Sequence, residues 1–206
     1  RVMAAGITPL TAVGDHLSSL PILRALAKNA PLGMIHFDSH TDLFHSYFNG
    51  TKYTHGTPFR RAVEEGLLDP KRVIQIGIRG TTYDMEDRDF AASVGIRIVP
   101  IEEFFARGVE DVMREAREIV GTEATYVSYD IDFVDPAFAP GTGTPEVGGP
   151  TAFQALQVAR LLDGVNIIGA DLVEVSPPFD ASGNTAFLGM SILFEMLCVM
   201  STPREG

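Results

Sequence analysis

The chain has one cysteine, Cys198, and no tryptophan among its 206 residues. A single thiol cannot close an internal disulfide, which excludes the cross-linked framework of a small secreted domain. A reducing, cytoplasmic setting is therefore expected. Basic charge is also scarce. Lys and Arg number 16 against 27 Asp and Glu, for a net charge of −11. That balance argues against nucleic acid or an anionic membrane surface as partner. No apolar run approaches the roughly 20 residues that cross a bilayer. No internal repeat, low-complexity stretch or domain linker interrupts the chain, so residues 1–206 read as one domain. Its size is sufficient for a sizeable core.

Apolar residues make up 45% of the chain and charged residues 21%, an ordinary globular profile. Short apolar runs alternate with amphipathic ones. Strands are expected at Ile7–Val13, Gly33–Phe37, Arg72–Ile78, Ile96–Val99, Ala124–Tyr129 and Val165–Val173. Several are almost wholly apolar, as strands buried on both faces are. Helices are expected at Ser19–Asn29, Phe59–Glu65, Tyr83–Val94, Ile101–Ala106, Val109–Val120, Thr151–Leu162 and Thr185–Met200. Alternation of this kind predicts an α/β fold, an open, mostly parallel sheet between layers of helices. The strand near Thr8 begins almost at once, so an N-terminal portion of the protein is expected to lie outside this chain.

In open parallel sheets, ligands bind beyond the carboxyl ends of the strands. The chemically distinctive motifs all start where expected strands stop. Gly14-Asp15-His16 follows the first, Asp38-Ser39-His40-Thr41-Asp42 the second, Asp130-Ile131-Asp132 the fifth, and Glu174 the sixth. Alternate side chains of extended backbone point the same way. Asp38, His40 and Asp42 are thus expected to converge, and Asp130 and Asp132 likewise. A lone HxD or DxD is usually a turn, a cap or an ion-pair partner. Here three such motifs coincide at strand ends.

With His16, the set comprises four carboxylates and two imidazoles. One catalytic metal needs only three or four protein ligands. Six, with carboxylates able to bridge, suit two ions roughly 3.5–4 Å apart. Oxygen-rich ligation with some imidazole and no thiolate favours Mn²⁺. Four aspartates balance two divalent ions. A bridging hydroxide then leaves room for a cationic substrate, because a partly buried site must be near neutral.

The segments GDH, HFDSHTD, SYDIDFVDPAFAPGTGTPEVGG and VEVSPPFD resemble the ureohydrolases, a family that includes arginases, agmatinases and guanidino-acid amidinohydrolases. The resemblance runs in order along nearly the whole chain. It implies an arginase-like fold and a pair of Mn²⁺ ions. His16, Asp38, Asp42 and Asp130 would hold one ion; Asp38, His40, Asp130 and Asp132 the other. It implies catalytic roles for Asp132, for Glu174, which would receive the guanidinium, and for His55, which would shuttle a proton. Thr144 and Tyr47 are expected beside the substrate. The family's chains are longer, and its members assemble as trimers or hexamers. Two residues depart from the family pattern: Val13 precedes Gly14 where a glycine is usual, and Leu17 follows His16 where Ser or Thr is common.

The implied reaction splits a guanidino group into urea and an amine, as in the agmatinase step of polyamine biosynthesis. Agmatine is the expected substrate, with guanidinobutyrate and guanidinopropionate as alternatives. The segment Leu43–Thr54 lacks an acid to meet an amine tail and carries His45, Tyr47 and Lys52. A single-zinc deacetylase would leave His16 and Asp132 without a task. A catalytically silent interaction protein would not need the full set of ligands. His36 is expected in the core or behind the ligands, His45 at the rim, Arg79 at the site mouth or a subunit contact, and Phe187 and Phe194 in the core or an interface.

Overall fold

The computed structural model describes residues 2–82 and 84–201. All six expected strands form: β1 (Leu10–Ala12), β2 (Leu32–Phe37), β3 (Leu68–Ile78), β4 (Arg97–Pro100), β5 (Thr125–Asp130) and β6 (Ile167–Val173). They make one sheet, in the order β1-β6-β5-β2-β3-β4, with every pairing parallel. β1 is shorter than expected. It lies at the sheet edge, Pro9 offers no N–H for pairing, and Ile7 is exposed.

The helices are α1 (Ser19–Leu26), α2 (Pro58–Glu64), α3 (Glu86–Val94), α4 (Ile101–Arg107), α5 (Val109–Val120), α6 (Ala152–Arg160) and α7 (Asn184–Ser201). Each expected helix is present, with ends displaced by a few residues. α1 stops at Leu26, ahead of Asn29. Tyr83, the expected start of α3, lies outside the described residues. α6 begins at a capping box, in which the Thr151 and Gln154 side chains satisfy each other's backbone N–H groups.

Period-two alternation splits the core into two layers. Ile35, Phe37, Val127, Tyr129, Ala170 and Leu172 face the layer that includes Val112, Ala116 and Met113 of α5. Met34, Val73 and Tyr126 face the layer of Leu20, Leu23 and Phe59 from α1 and α2. α7 is apolar enough along its 18 residues to cross a membrane by length and composition alone, which the apolar runs of the sequence did not suggest. In the fold it packs on α6 and β6 and buries Leu188, Ile192 and Met196. Phe187 and Phe194 point outward, so they are not core residues.

Strand order decides where the site sits. From β2 the chain moves one way, to β3 and β4; from β5 it moves the other way, to β6. The reversal opens a crevice beyond the adjacent ends of β2 and β5. Pairing of Phe37 with Tyr129, and of Asp130 with Val173, brings the ends of β2, β5 and β6 to one level.

The long connection after β5 is anchored by Asp135. Its Oδ1 accepts from Ala137 N–H at 2.8 Å, and its Oδ2 from the N–H groups of Gly148 and Gly149 at 2.7 and 3.0 Å. Partial burial raises the Asp135 carboxyl, but these donors outweigh it and hold its pKa below the ordinary value. A depressed folded-state pKa adds stability above the unfolded pKa, and that stability is lost as pH falls through the folded value. Asp135→Asn leaves one acceptor oxygen where there were two, turns an amide N–H₂ toward at least one of these N–H donors, and is expected to cost about 2 kcal/mol near neutral pH. The deficit should narrow as pH falls below about 4, the unfolded carboxyl range. Thermal melts at pH 7 and at a pH below that range check both the cost and its sign.

Candidate metal centre

The expected side chains come together beyond β2 and β5. His16 starts a short 3₁₀ turn, His16–Ser18, whose first turn is capped by Asp15. Its Nδ1 lies 3.1 Å from Asp38 Oδ2, 3.0 Å from Asp42 Oδ2 and 3.2 Å from Asp130 Oδ2. His40 Nδ1 lies 3.0 Å from Asp132 Oδ2 and 3.5 Å from Asp38 Oδ1. Asp38 is thus common to both groupings.

Extended backbone is not what brings them together. β2 ends at Phe37, and the chain from Asp38 onward bends. Asp42 has φ +54°, a left-handed conformation that few non-glycine residues adopt. Asp130 accepts the Asp132 N–H at 2.8 Å, which turns the chain into a 3₁₀ turn, Ile131–Phe133. Two tight turns, rather than pleat alternation, fold the motifs back on themselves.

One atom tests whether cations fit. His16 is buried, and its Nε2 lies 2.8 Å from Ser128 Oγ. The Ser128 hydroxyl donates to Asp171 Oδ1 at 2.7 Å, so it accepts from the imidazole N–H. In the neutral imidazole Nδ1 then carries the lone pair, facing three carboxylates, with no hydrogen-bond partner among the described residues. A lone pair and three anions within hydrogen-bond range of one another fit around a cation. Four aspartates and two histidines are also the donor set of a hard divalent ion.

Without a cation, the cluster distorts its own titration. Burial disfavours charge on His16, but Asp42, Asp130 and Asp38 outweigh it and raise the imidazole pKa well above normal. For His40, burial is again overcome, by Asp132 and Asp38, and its pKa is pushed up to about 12. Burial and the Asp38 carboxylate raise Asp42; burial with Asp132 and Asp38 raises Asp130. Asp38 goes the other way. Burial is outweighed by His36, His16 and His40, and its pKa falls well below normal.

Glu174 directly adjoins this cluster. Its Oε1 accepts the His16 N–H at 2.8 Å, and its own N–H donates to Gly14 at 2.9 Å. Glu174 has φ +64°, so the end of β6 turns sharply into a conformation that disfavours a side chain. Burial raises its pKa, only partly offset by the His16 N–H. The loop Pro140–Pro145 is tied down beside it, by Ser176 N–H to Gly141 O and Gly141 N–H to the Thr185 hydroxyl, both 2.8 Å.

Thr144 donates to Asp132 Oδ2 at 3.2 Å, so its hydroxyl supports that aspartate as well as facing the site. His55 is half-buried in a turn held by Thr57, whose hydroxyl accepts from Thr54 N–H at 2.9 Å. Its ring lies 5.8 Å from that of Tyr47 and 5.9 Å from that of Phe48. Gly56 makes that packing possible, because a Cβ there would come within 2.8 Å of the Tyr47 ring. Tyr47 is therefore a neighbour of His55. His45 is half-exposed, and its backbone N–H donates to Glu86 Oε2 at 3.3 Å.

Behind the expected donors lie some residues that the sequence singled out and others, Ser39 and Gln75 among them, that it did not. The Ser39 hydroxyl and N–H both donate to Asp132 Oδ1, at 2.7 and 3.1 Å. His36 is buried, and its Nε2 lies 2.8 Å from Asp38 Oδ2, so it backs one of the expected donors. Gln75 Nε2 donates to Thr41 O at 2.6 Å and lies 3.0 Å from His36 Nδ1. Arg79 is not at the mouth. It is buried and bridges Asp132 O and Glu146 O, each 2.8 Å from Nη2. The Glu146 carboxylate is half-exposed, 4.0 Å from His40 Nε2. The available signal was a polar residue interrupting an apolar strand, as at Gln75, His36, Ser128 and Asp171.

Comparison with known proteins places these features in context. The model of the Arginase family matches residues 1–198. The guanidinopropionase of Pseudomonas aeruginosa is 57% identical over 98% of this chain and 63% of its own length. The mitochondrial agmatinase of Gallus gallus is 51% identical over 97% of the chain and 59% of its own length. The proclavaminate amidino hydrolase from Streptomyces clavuligerus superposes with a TM-score of 0.87 at 42% identity, covering 91% of this chain and 62% of that one. The chain thus spans less than two thirds of the length of these relatives.

Proposed function

This chain belongs to the arginase family, and on that premise we propose that its centre holds two Mn²⁺ ions and hydrolyses the guanidino group of a short guanidino acid to urea and an amine. The observation that carries the reading is the unpartnered His16 Nδ1 among three carboxylates, with Glu174 bonded to the same residue's N–H. His16, Asp38, Asp42 and Asp130 would hold one ion; Asp38, His40, Asp130 and Asp132 the other.

When bound, such a pair supplies a water acidified from pKa 15.7 towards ~7. The chain supplies the rest. Glu174 forms a forked pair with two guanidinium N–H groups and aims the central carbon at that water. Ser39 grips Asp132 Oδ1, leaving Oδ2 turned toward His40 and Thr144. Water oxygen bonds to the guanidinium carbon, and the bond from that carbon to the substituted nitrogen breaks. The departing nitrogen takes one proton from His55 and a second from the added hydroxyl by way of Asp132, and leaves as an ammonium; the water's other proton restores His55, and the carbon leaves as urea. His55→Asn is expected to lower kcat by about 10²–10⁴-fold with KM little changed, the loss of a general acid. Steady-state urea release measures it.

The guanidino-acid reading is supported by the guanidinopropionase at 57% identity, against 51% for the agmatinase, and by Lys52 and His45 in the loop near His55. Agmatine is the second reading, favoured by one observation. The half-exposed Glu146 carboxylate beside His40 would welcome a cationic tail. A urea-release panel with Mn²⁺ over 3-guanidinopropionate, 4-guanidinobutyrate, agmatine and arginine separates them. The expected order puts 3-guanidinopropionate first. Preference for agmatine would move the assignment to the second reading. No urea from any of them, with Mn²⁺ bound, would overturn hydrolysis altogether.

A further inference from the structure

A row of buried polar side chains crosses the sheet directly beneath the ligands. Gln75 pairs in register with His36, His36 with Ser128, and Ser128 with Asp171. All four are fully buried, and their near neighbours along the strands are mostly apolar. They lie on the α1 and α2 side of the sheet, the side from which His16 enters. A buried polar residue in a central strand has a solvation cost that an apolar residue would avoid. Four of them in one row imply a shared task.

The hydrogen bonds reveal that task. Thr41 O can only accept, so Gln75 must turn its amide N–H₂ toward it and toward His36 Nδ1. His36 then carries its proton on Nε2 and donates to Asp38 Oδ2. The other half of the row runs the same way. Asp171 Oδ2 accepts from Ser19 at 2.6 Å and from the Tyr126 hydroxyl, and Oδ1 accepts from Ser128 at 2.7 Å. Ser128 has given its only proton to Asp171, so it must accept from His16 Nε2. The polarity of each chain is fixed from its far end.

We infer that Asp171, acting through Ser128, is a positioning residue that locks His16 in the tautomer whose Nδ1 lone pair faces Asp38, Asp42 and Asp130. Asp171 does not reach the centre itself. Its acceptor oxygen orients the serine, the serine orients the imidazole, and only then is Nδ1 available to a cation. The inference rests on the reading that the centre holds two ions, and it goes beyond that reading by making one ion's affinity depend on a carboxylate behind the ligands. Outer partners of this kind alter metal affinity by about 10–100-fold when removed.

The test compares Ser128→Ala and Asp171→Asn with Tyr129→Phe. Tyr129 neighbours Ser128 on β5 but faces the opposite layer, where its hydroxyl donates to Ala155 O at 3.4 Å. Each metal-free variant is first checked by thermal melting. Mn²⁺ content is then measured against free Mn²⁺, alongside the electron paramagnetic resonance spectrum. Wild type and Tyr129→Phe are expected to load two coupled ions at the same free Mn²⁺. Ser128→Ala and Asp171→Asn should need about 10–100-fold more Mn²⁺ to load one of the two. At intermediate Mn²⁺ they should give the hyperfine-split signal of an isolated ion. Two coupled ions at wild-type Mn²⁺ in both variants would overturn the inference while leaving the two-ion reading intact. An equal loss in Tyr129→Phe would overturn it too, by making the effect one of general packing. Wild type that does not load two ions would remove the reading on which the inference depends.

Discussion

Asp38→Ala is expected to lower kcat/KM for guanidine hydrolysis by roughly 10³-fold or more, a barrier increase of about 4 kcal/mol. Among the described residues, Asp38 belongs to both groupings of donors. Its Oδ2 lies 3.1 Å from His16 Nδ1, and its Oδ1 accepts the His40 N–H at 2.6 Å. Removing it breaks both halves of the centre at once. It also leaves His36 Nε2 without its acceptor and opens the turn that carries His40. Bound Mn²⁺ should fall below one ion per chain, and circular dichroism should show the fold retained, because the sheet does not depend on this residue. Activity within tenfold of wild type would remove Asp38 from the proposed chemistry.

Glu174→Gln is the second large effect. Glutamine keeps an oxygen for the His16 N–H, so the turn at φ +64° is expected to survive. What it loses is the anionic half of a forked pair with a guanidinium, and charge-assisted pairs are about twice as strong as neutral ones. In a site where burial already raises the Glu174 carboxyl, the loss falls mainly on substrate held at the reacting geometry. kcat/KM should drop by about 10²–10³-fold, or 3–4 kcal/mol, while Mn²⁺ loading stays at the wild-type level. Unchanged kcat/KM would mean that the guanidinium docks elsewhere. A loss of metal along with activity would make Glu174 a support for His16 instead.

The fold was legible because its strands are buried on both faces, and six apolar runs separated by amphipathic ones permit few arrangements. The site was legible because short-range motifs carry several donors each. The local geometry was not. Pleat alternation suggested why Asp38, His40 and Asp42 converge, whereas the left-handed turn at Asp42 and the 3₁₀ turns at His16 and Ile131 are what gather the carboxylates and imidazoles. A turn that strained is held by surrounding packing, which a single sequence does not display. Ser128 and Asp171 illustrate the other gap. Each is a polar residue with apolar or aromatic neighbours on its strand, and alone gives no sign of a task. Only the parallel register, which sets Ser128 against His36 on one side and Asp171 on the other, makes them a row. Arg79 shows the same dependence on long-range structure, since its partners at Asp132 and Glu146 are far away in sequence.

In the proposed centre, the carboxylates and imidazoles around Asp38 and Asp130 hold a pair of divalent ions. Anomalous diffraction at the manganese edge, from crystals of the chain grown with Mn²⁺, tests it directly. Two peaks are expected roughly 3.5–4 Å apart, both between Asp38 and Asp130, one beside His16 Nδ1 and the other beside His40 Nδ1. A single peak, or peaks away from these aspartates, would contradict it.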